Sequence, residues 1–370
     1  MLSRFIQLLR ESRRAQLVTI GVILVAAVGV VMALALQDPP EPTPETTTTT
    51  IVETTTTSAE TTSTTTSSTI PEAVSALNGL PVDDPALLDR RVLAVKMDNH
   101  PNARPQSGVQ EADLVFEIVV EGITRFMTLW QQSDTEYFGP MRSGRPTDPH
   151  ILTALNQPTF VISGAQGWVQ QLIRSMDVNL VGEVRPQTFR VSGRFAPHNL
   201  YANTILLREY ADSLEYPDEP PIAPIWEFGE LPSTATPATT VEINFVGNIV
   251  NWDWDPETET WLRGADGRES NWRTMDGEEG RIGFPVLVAL YTEQYNHSPP
   301  GRGKSLPSSR TTGAGPAFVF ADGKVMQGTW QRETEQDWFV LTDESGNVIP
   351  VPPGQAWISL VPDGTGLTFE

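Results

Sequence analysis

Cysteine is absent from all 370 residues. That absence excludes structural disulfides, thiol nucleophiles, thiolate metal centres and a cysteine-linked lipid anchor. An exported chain without disulfides suits a bacterial envelope better than a small stapled secreted domain. Histidine is nearly as scarce: His100, His150, His198 and His297 are the full set, and no two lie three to five residues apart, as paired metal ligands commonly do. There is no G-x-S-x-G turn and no ordered Ser-His-Asp signature. "GRGKS" at 301–305 lacks the first glycine of a P-loop, since that position is Ser298. Basic charge is in deficit too, 25 Lys+Arg against 46 Asp+Glu, for a formal net charge of -21. A polyanion would be repelled, which excludes nucleic acid as a partner and tight binding to anionic lipid.

Against this background one long apolar run stands out. Residues 17–36, "LVTIGVILVAAVGVVMALAL", carry no charge. At 1.5 Å per residue twenty residues span about 30 Å, the hydrocarbon thickness of a bilayer. The run is longer than the core of a signal peptide and predicts a transmembrane helix. The small-residue pattern in "ALALQDPP" leaves cleavage there as the alternative. Arg4, Arg10, Arg13 and Arg14 precede the span, and no Lys or Arg follows before Arg90. The positive-inside rule places residues 1–16 in the cytoplasm and everything after the span outside it, a single-pass protein of the cell membrane. With Glu11 the first 36 residues carry +3, so the exported part carries -24.

Residues 37–75 are Thr, Ser, Pro and Glu with little to bury, the composition of a disordered stalk. Residues 76–216 mix strand and helix signals. "RVLAVKMD", "ADLVFEIVVE", "ITRFMTLWQQS" and "PTFVISGA" read as strands; "DPHILTALN", "GWVQQLIRSMD" and "NTILLREYADSL" read as helices. Asp148 followed by Pro149 predicts an N-cap and first helical residue. Interleaved strands and helices predict a layered α/β domain. Residues 217–238 are rich in Pro, Ser and Thr and read as a linker. Residues 239–370 read as strands separated by Asp-Gly, Ser-Gly-Asn and Pro-Pro-Gly turns, predicting a small sandwich or half-open barrel of about six to eight strands. The expected class is α+β, an α/β domain followed by a mostly-β domain on a membrane anchor. Trp252 and Trp254 alternate with Asp253 and Asp255. Exposed, such a strand would stack on sugars; buried, it is core, and burial is the expected state.

Chemistry concentrates in "MRSGRPTDPH", residues 141–150. Arg142 and Arg145 flank Ser143 in a glycine-bearing loop that enters a predicted helix. Two planar guanidinium forks and free N–H groups there would suit a phosphate or carboxylate. Arg104, Arg125, Arg190 and Arg194 are further candidates for the same site, and the competing reading pairs each with a carboxylate such as Glu111, Glu117 or Glu121. His198 in "APHNLY" is the candidate general acid/base, with Asn199 placed to orient its ring; the competing reading is a buried, hydrogen-bonded structural histidine. Serine in such a loop is more often a hydrogen-bond donor than a nucleophile. Asp98 with Asp113, or Asp98 with His100 and His198, form weak metal candidates, and nothing in the pattern calls for a cofactor. Glu117 and Glu121, four apart on a predicted strand, would share a face at about 13 Å. That exceeds the ~5–9.5 Å separation of glycosidase carboxylates.

Several strings taken together resemble one family. "LNGLPVDD" precedes "VLAVKMDNHPNARPQSGVQEADLVFEIVVEGITRFMTLWQQ"; "FGPMRSGRP" and "GRFAPHNLYAN" follow, and later "GAGPAFVFADGKVMQGTWQR" and "VPPGQAWISLVP". In this order they are similar to the YerB-like, DUF3048 proteins over roughly residues 76–364. The resemblance implies an envelope-associated protein with two family domains, and implies architecture rather than a reaction. Bacillus-type members are lipoproteins, whereas this chain has no cysteine to acylate and a predicted membrane span instead. It also has Gly144 where the family more often has alanine before the second arginine, a change expected to matter little.

Two functions fit. In the first, the protein is a membrane-anchored envelope module that binds an anionic cell-wall ligand through Arg142, Ser143, Arg145, Arg104, Arg125, Arg194, His198 and Asn199. In the second, it is an enzyme acting on a phosphorylated or pyrophosphate-linked glycan precursor, an analogy with LytR-CpsA-Psr phosphotransferases at the level of fold alone.

Overall fold

Strands of the first region carry apolar side chains at consecutive positions because both of their faces are covered. In the computed structural model the described residues are 73–370. The predicted transmembrane helix, and all but the last residues of the predicted stalk, lie outside them. Among the described residues no helix is long and apolar enough to cross a membrane.

The first region contributes strands β1 (Leu93–Met97), β2 (Leu114–Val119), β3 (Thr124–Trp130), β4 (Thr159–Val161), β5 (Asn179–Val181), β6 (Thr188–Arg190) and β7 (Leu200–Ala202). Its helices are α1 (Thr147–Leu152), α2 (Gly167–Arg174) and α3 (Thr204–Ser213), the last capped by Asn203, whose side chain accepts from Leu206 N at 3.0 Å. The second region adds β8 (Thr236–Pro237), β9 (Thr240–Phe245), β10 (Asn248–Asp255), β11 (Thr260–Ala265), β12 (Arg268–Glu269), β13 (Asn271–Arg273), β14 (Glu279–Arg281) and β15 (Gly283–Phe284). These are followed by β16 (Val286–Thr292), β17 (Gln294–His297), β18 (Leu306–Ser309), β19 (Gly313–Ala321), β20 (Lys324–Arg332), β21 (Val340–Thr342), β22 (Ala356–Pro362) and β23 (Leu367–Phe369). The described residues are mixed α/β, with few helices and mostly strands.

A sheet of eleven strands runs β21-β20-β19-β16-β22-β2-β3-β1-β4-β5, with β8 on β20. β1, β4 and β5 are parallel, as are β16, β22 and β2, while β3 is antiparallel to both β1 and β2. One face, with Ala94, Phe116, Met127, Phe160, Leu290 and Leu360, packs on Ile151 of α1 and Val169 and Ile173 of α2. The other face, with Val95, Val115, Phe126, Leu287 and Trp357, packs on a six-stranded sheet, β12-β11-β10-β9-β23 with β15 on β11. Strands sandwiched in this way have no wet side, so β1, β2, β3 and β22 are buried at every position. β9, with one face in water, alternates exposed and buried residues.

One expectation of architecture changes. The second region does not close into its own sandwich: β16, β19, β20, β21 and β22 join the large sheet. The reason lies in β16 and β22, which are apolar on both faces and so need cover on both, while β19, β20 and β21 extend the sheet from β16. Trp252 and Trp261 are core, as burial predicted, and Trp254 is partly buried beside them.

The start of α1 also differs. Its N-cap is Pro146, and Asp148 lies inside the first turn. The Asp148 carboxylate accepts the Arg145 N–H at 2.7 Å and the Lys96 ammonium at 2.6 Å. Both Lys96 and Asp148 side chains are wholly buried. Burial pushes the Lys96 ammonium down from its ordinary pKa, outweighing the opposing pull of Asp148. α1 therefore fills its own first turn and leaves no open anion site there.

The β9–β10 turn meets the β2–β3 turn at Gly247, which has φ +90°; a Cβ there would lie 2.0 Å from the Gly122 carbonyl oxygen. Gly247→Ala is expected to destabilise the fold by more than about 1 kcal/mol, read as a shift in urea midpoint. An unchanged midpoint would mean the two turns are free to separate.

Candidate functional site

The arginine loop is held at the carboxyl ends of parallel strands β1 and β4, where open α/β sheets place their ligands. Arg142 N donates to Lys96 O at 2.8 Å, Ser163 N to Arg142 O at 3.1 Å, and Gly144 N to Gly164 O at 3.0 Å. The loop is thus stitched to the last residue pairs of β1 and to the turn after β4. A Cβ at Gly144 would lie 3.3 Å from Ile162 Cγ2, so an alanine here needs a small adjustment of that side chain.

Asp98, the first residue after β1, is the centre of the site and wholly buried. Its Oδ2 lies 2.7 Å from His198 Nδ1 and 3.3 Å from Arg142 Nε. Its Oδ1 accepts the His100 N–H at 3.0 Å. The His100 ring stacks on His198 with centroids 4.6 Å apart. Arg142 and His198, more than fifty residues apart in sequence, therefore meet on one oxygen atom. Arg142 meets Asp98 as an ion pair without hydrogen-bond geometry, and neither its guanidinium nitrogens nor Nε2 of His198 have a hydrogen-bond partner among the described residues.

Arg125, on β3, is only 7% exposed. One guanidinium nitrogen donates to Ser143 O at 3.0 Å, while its buried Nε has no partner. No carboxylate within 4 Å pairs with Arg125 among the described residues. Its pKa is pushed down to about 10, first by burial and then by Arg145 and Arg142, with Glu121 and Asp98 opposing. Arg145 is bound to Glu121 at 2.8 Å. Around this point Lys96, Arg125, Arg142 and Arg145 face Asp98, Glu121 and Asp148, one excess positive charge inside a chain of net -21. Ser143 Oγ lies 3.4 Å from Ser163 Oγ, at the edge of hydrogen bonding.

Other predicted residues are placed elsewhere or do different work. Arg104 donates to Asn99 Oδ1 and O, each at 3.2 Å, and approaches Asp266 at 3.7 Å. Burial lowers its pKa, with Arg263 as the next cause. Arg194 donates to the carbonyls of Asn102 and Pro105, bracing the loop that carries His100. Asn199 does not touch the His198 ring: its Oδ1 accepts from Arg190 at 2.9 Å and its amide donates to Arg194 O at 3.2 Å. Arg190 is also paired with Glu183. Asp98 takes the orienting role expected of Asn199, because it is the buried acceptor in reach of Nδ1.

Asp98 and Asp113 do not converge. The pairings Met97↔Phe126 and Leu114↔Leu129 put them at opposite ends of β3. Asp113 is buried and accepts the N–H groups of Gln131 and Gln132 at 2.5 and 3.0 Å. Burial raises its pKa and these bonds oppose the rise. Among the described residues no group of three or more His, Asp or Glu is arranged to hold a metal. Glu117 and Glu121 do not share a strand face, since β2 ends at Val119. Glu117 instead pairs with Arg263 in the core at 2.8 Å.

Sequence reasoning missed Lys96 and Asp148, whose pair holds the arginine loop from below. The available signal was a lone lysine in the otherwise apolar strand "LAVKM".

Comparison with known proteins agrees with this architecture. Residues 77–217 match the N-terminal domain, and residues 241–358 the C-terminal domain, of the family described as protein of unknown function DUF3048. The chain is 27% identical over 300 residues to "Putative lipoprotein YerB" of Bacillus subtilis (strain 168), covering 78% of this chain and 86% of that protein. The crystal structure of YerB protein from Bacillus subtilis superposes with a TM-score of 0.68, at 24% identity, over 80% of this chain and 99% of that one. That likeness is one of fold.

Proposed function

The chain belongs to the DUF3048 family, and from that premise we propose that it is a membrane-anchored, extracytoplasmic envelope protein whose arginine loop holds an anionic cell-wall ligand. The ligand carries phosphate or carboxylate groups, as a wall glycan or its precursor does. A relative named as a lipoprotein supports attachment to a membrane. In this chain residues 17–36 would replace the acylated cysteine.

One observation carries the anion reading: Arg125 is a buried guanidinium with no carboxylate partner among the described residues, and two more arginines repel it. Desolvating a cation without a counter-charge is unfavourable, and a bound anion would supply the missing acceptor. Arg142, whose Nη1 and Nη2 are both open, and Arg145 add to the positive field around Arg125.

Inorganic phosphate and small phosphate esters should therefore raise the melting temperature of the protein. A ligand at a hundredfold excess over its Kd adds about 2.7 kcal/mol, or several degrees for a unit of this size at about 2–4 °C per kcal/mol. Arg142→Gln, at a partly exposed position, and Arg125→Gln should each flatten that response. Full response in both variants, or none in the wild type with any anion, would sink the proposal. The junction of Asp98, His198 and Arg142 favours a second reading, in which the bound anion also reacts.

A further inference from the structure

The geometry points to His198 as a proton-transfer residue for hydrolysis of a phosphate ester, an inference that rests on the anion reading of the arginine loop. Three facts combine. Asp98, buried and ionically engaged, holds His198 by Nδ1 at 2.7 Å, so the Nδ1–H tautomer is fixed and Nε2 is left as the basic nitrogen. Nε2 has no protein partner among the described residues and is not sealed from solvent. The same Asp98 oxygen forms an ion pair with Arg142 Nε at 3.3 Å, so the Arg142 guanidinium and the His198 ring meet on one carboxylate. A base held by a buried carboxylate, next to donors aimed at an anion, is the arrangement acyl and phosphoryl hydrolysis needs.

Phosphate esters are favoured over carboxyl esters by the charge. A carboxyl-ester transition state develops one negative oxygen, whereas a phosphoryl group carries charge on several. The site offers Arg125, Arg142 and Arg145 within mutual electrostatic reach. In the step, the oxygen of a water molecule bonds to phosphorus as the ester P–O bond breaks. The water proton passes to His198 Nε2, and the imidazolium then returns it to the departing alkoxide. The products are an alcohol and the phosphate, and the proton that His198 accepted has been handed on. Asp98 is a positioning residue here: it fixes the ring and stabilises the transient imidazolium. His100, stacked on the ring, fixes its other face.

The test uses the full-length chain with 4-nitrophenyl phosphate and bis(4-nitrophenyl) phosphate, following nitrophenolate release, with thermal shift by the same esters measured in parallel. Wild type is expected to turn over at least one ester. His198→Gly should lower kcat by about 10²- to 10⁴-fold while the ester still raises the melting temperature, and added imidazole should restore turnover in this variant alone. Asp98→Asn should lower kcat more than it changes KM, and imidazole should not rescue it. Stabilisation by the esters without turnover would overturn hydrolysis and leave the anion reading intact. Neither stabilisation nor turnover would overturn both. Turnover unaffected in His198→Gly, or lost there without rescue by imidazole, would overturn the assignment of His198.

Discussion

Lys96→Met is expected to destabilise the fold by roughly 3–5 kcal/mol, the usual effect of removing one partner of a buried ion pair. Lys96 points from the middle sheet into the helical layer and meets Asp148 at 2.6 Å with neither side chain exposed. Without the ammonium, the Asp148 carboxylate keeps the Arg145 N–H at 2.7 Å but loses its charged partner. Replacing both residues, Lys96→Met with Asp148→Leu, should recover part of the loss, because no lone charge remains. Recovery will be incomplete, since the Arg145 N–H then has no acceptor. Urea unfolding of the two single variants and the double variant gives the coupling directly. A single-variant loss below about 1 kcal/mol would mean that water reaches the pair.

An effect of similar size, with a different signature, is expected at Glu117. Its carboxylate accepts two bonds from Arg263, at 2.8 and 3.1 Å, one from Thr124 at 2.6 Å and one from the Trp357 indole at 3.1 Å. The Arg263 guanidinium lies over Phe126 and Trp357, each at 5.2 Å, and over Trp252 at 5.8 Å. Glu117→Leu would strand a guanidinium among aromatic rings and leave an indole N–H unpaired, a loss of about 3–5 kcal/mol or more. Arg263 comes from β11 in the smaller sheet, while Glu117 and Trp357 come from the larger one. The damage should therefore fall on the contact between the two sheets. Tryptophan fluorescence, to which Trp252, Trp261 and Trp357 in that contact contribute, should change before circular dichroism does during urea unfolding. Coincident transitions with an unchanged midpoint would show the pair to be dispensable.

Local patterns carried much of this fold. The apolar strings became β1, β2, β3 and β4 where they were expected, and the helices 167–174 and 204–213 formed within the two strings read as helical. What escaped was long-range. Glu117 and Trp357 are 240 residues apart, and Asp98 and His198 are 100 apart. No periodicity, turn signal or composition shift reports such a pairing. The same limit explains the second region, whose strands read as a separate sandwich because nothing local says which sheet a strand will join. For the site, residue types were legible and partners were not. Arg142 and His198 were candidates, but that Asp98 would hold both, and that Arg125 would be buried without a carboxylate, depended on the sheet order. Lys96 was the one readable clue overlooked.

Where β22 sits has a consequence for how the chain comes to be made. Residues 356–362 fill the slot between β16 and β2, with parallel neighbours on both sides. Until those residues emerge, the two strands beside the slot have unpaired backbone edges, and the large sheet is two separate pieces. Parallel pairing across so long a stretch of chain is slow to nucleate. Exposed edges invite other strands in the meantime. The polypeptide therefore cannot complete the centre of this sheet before residues 356–362 have been made.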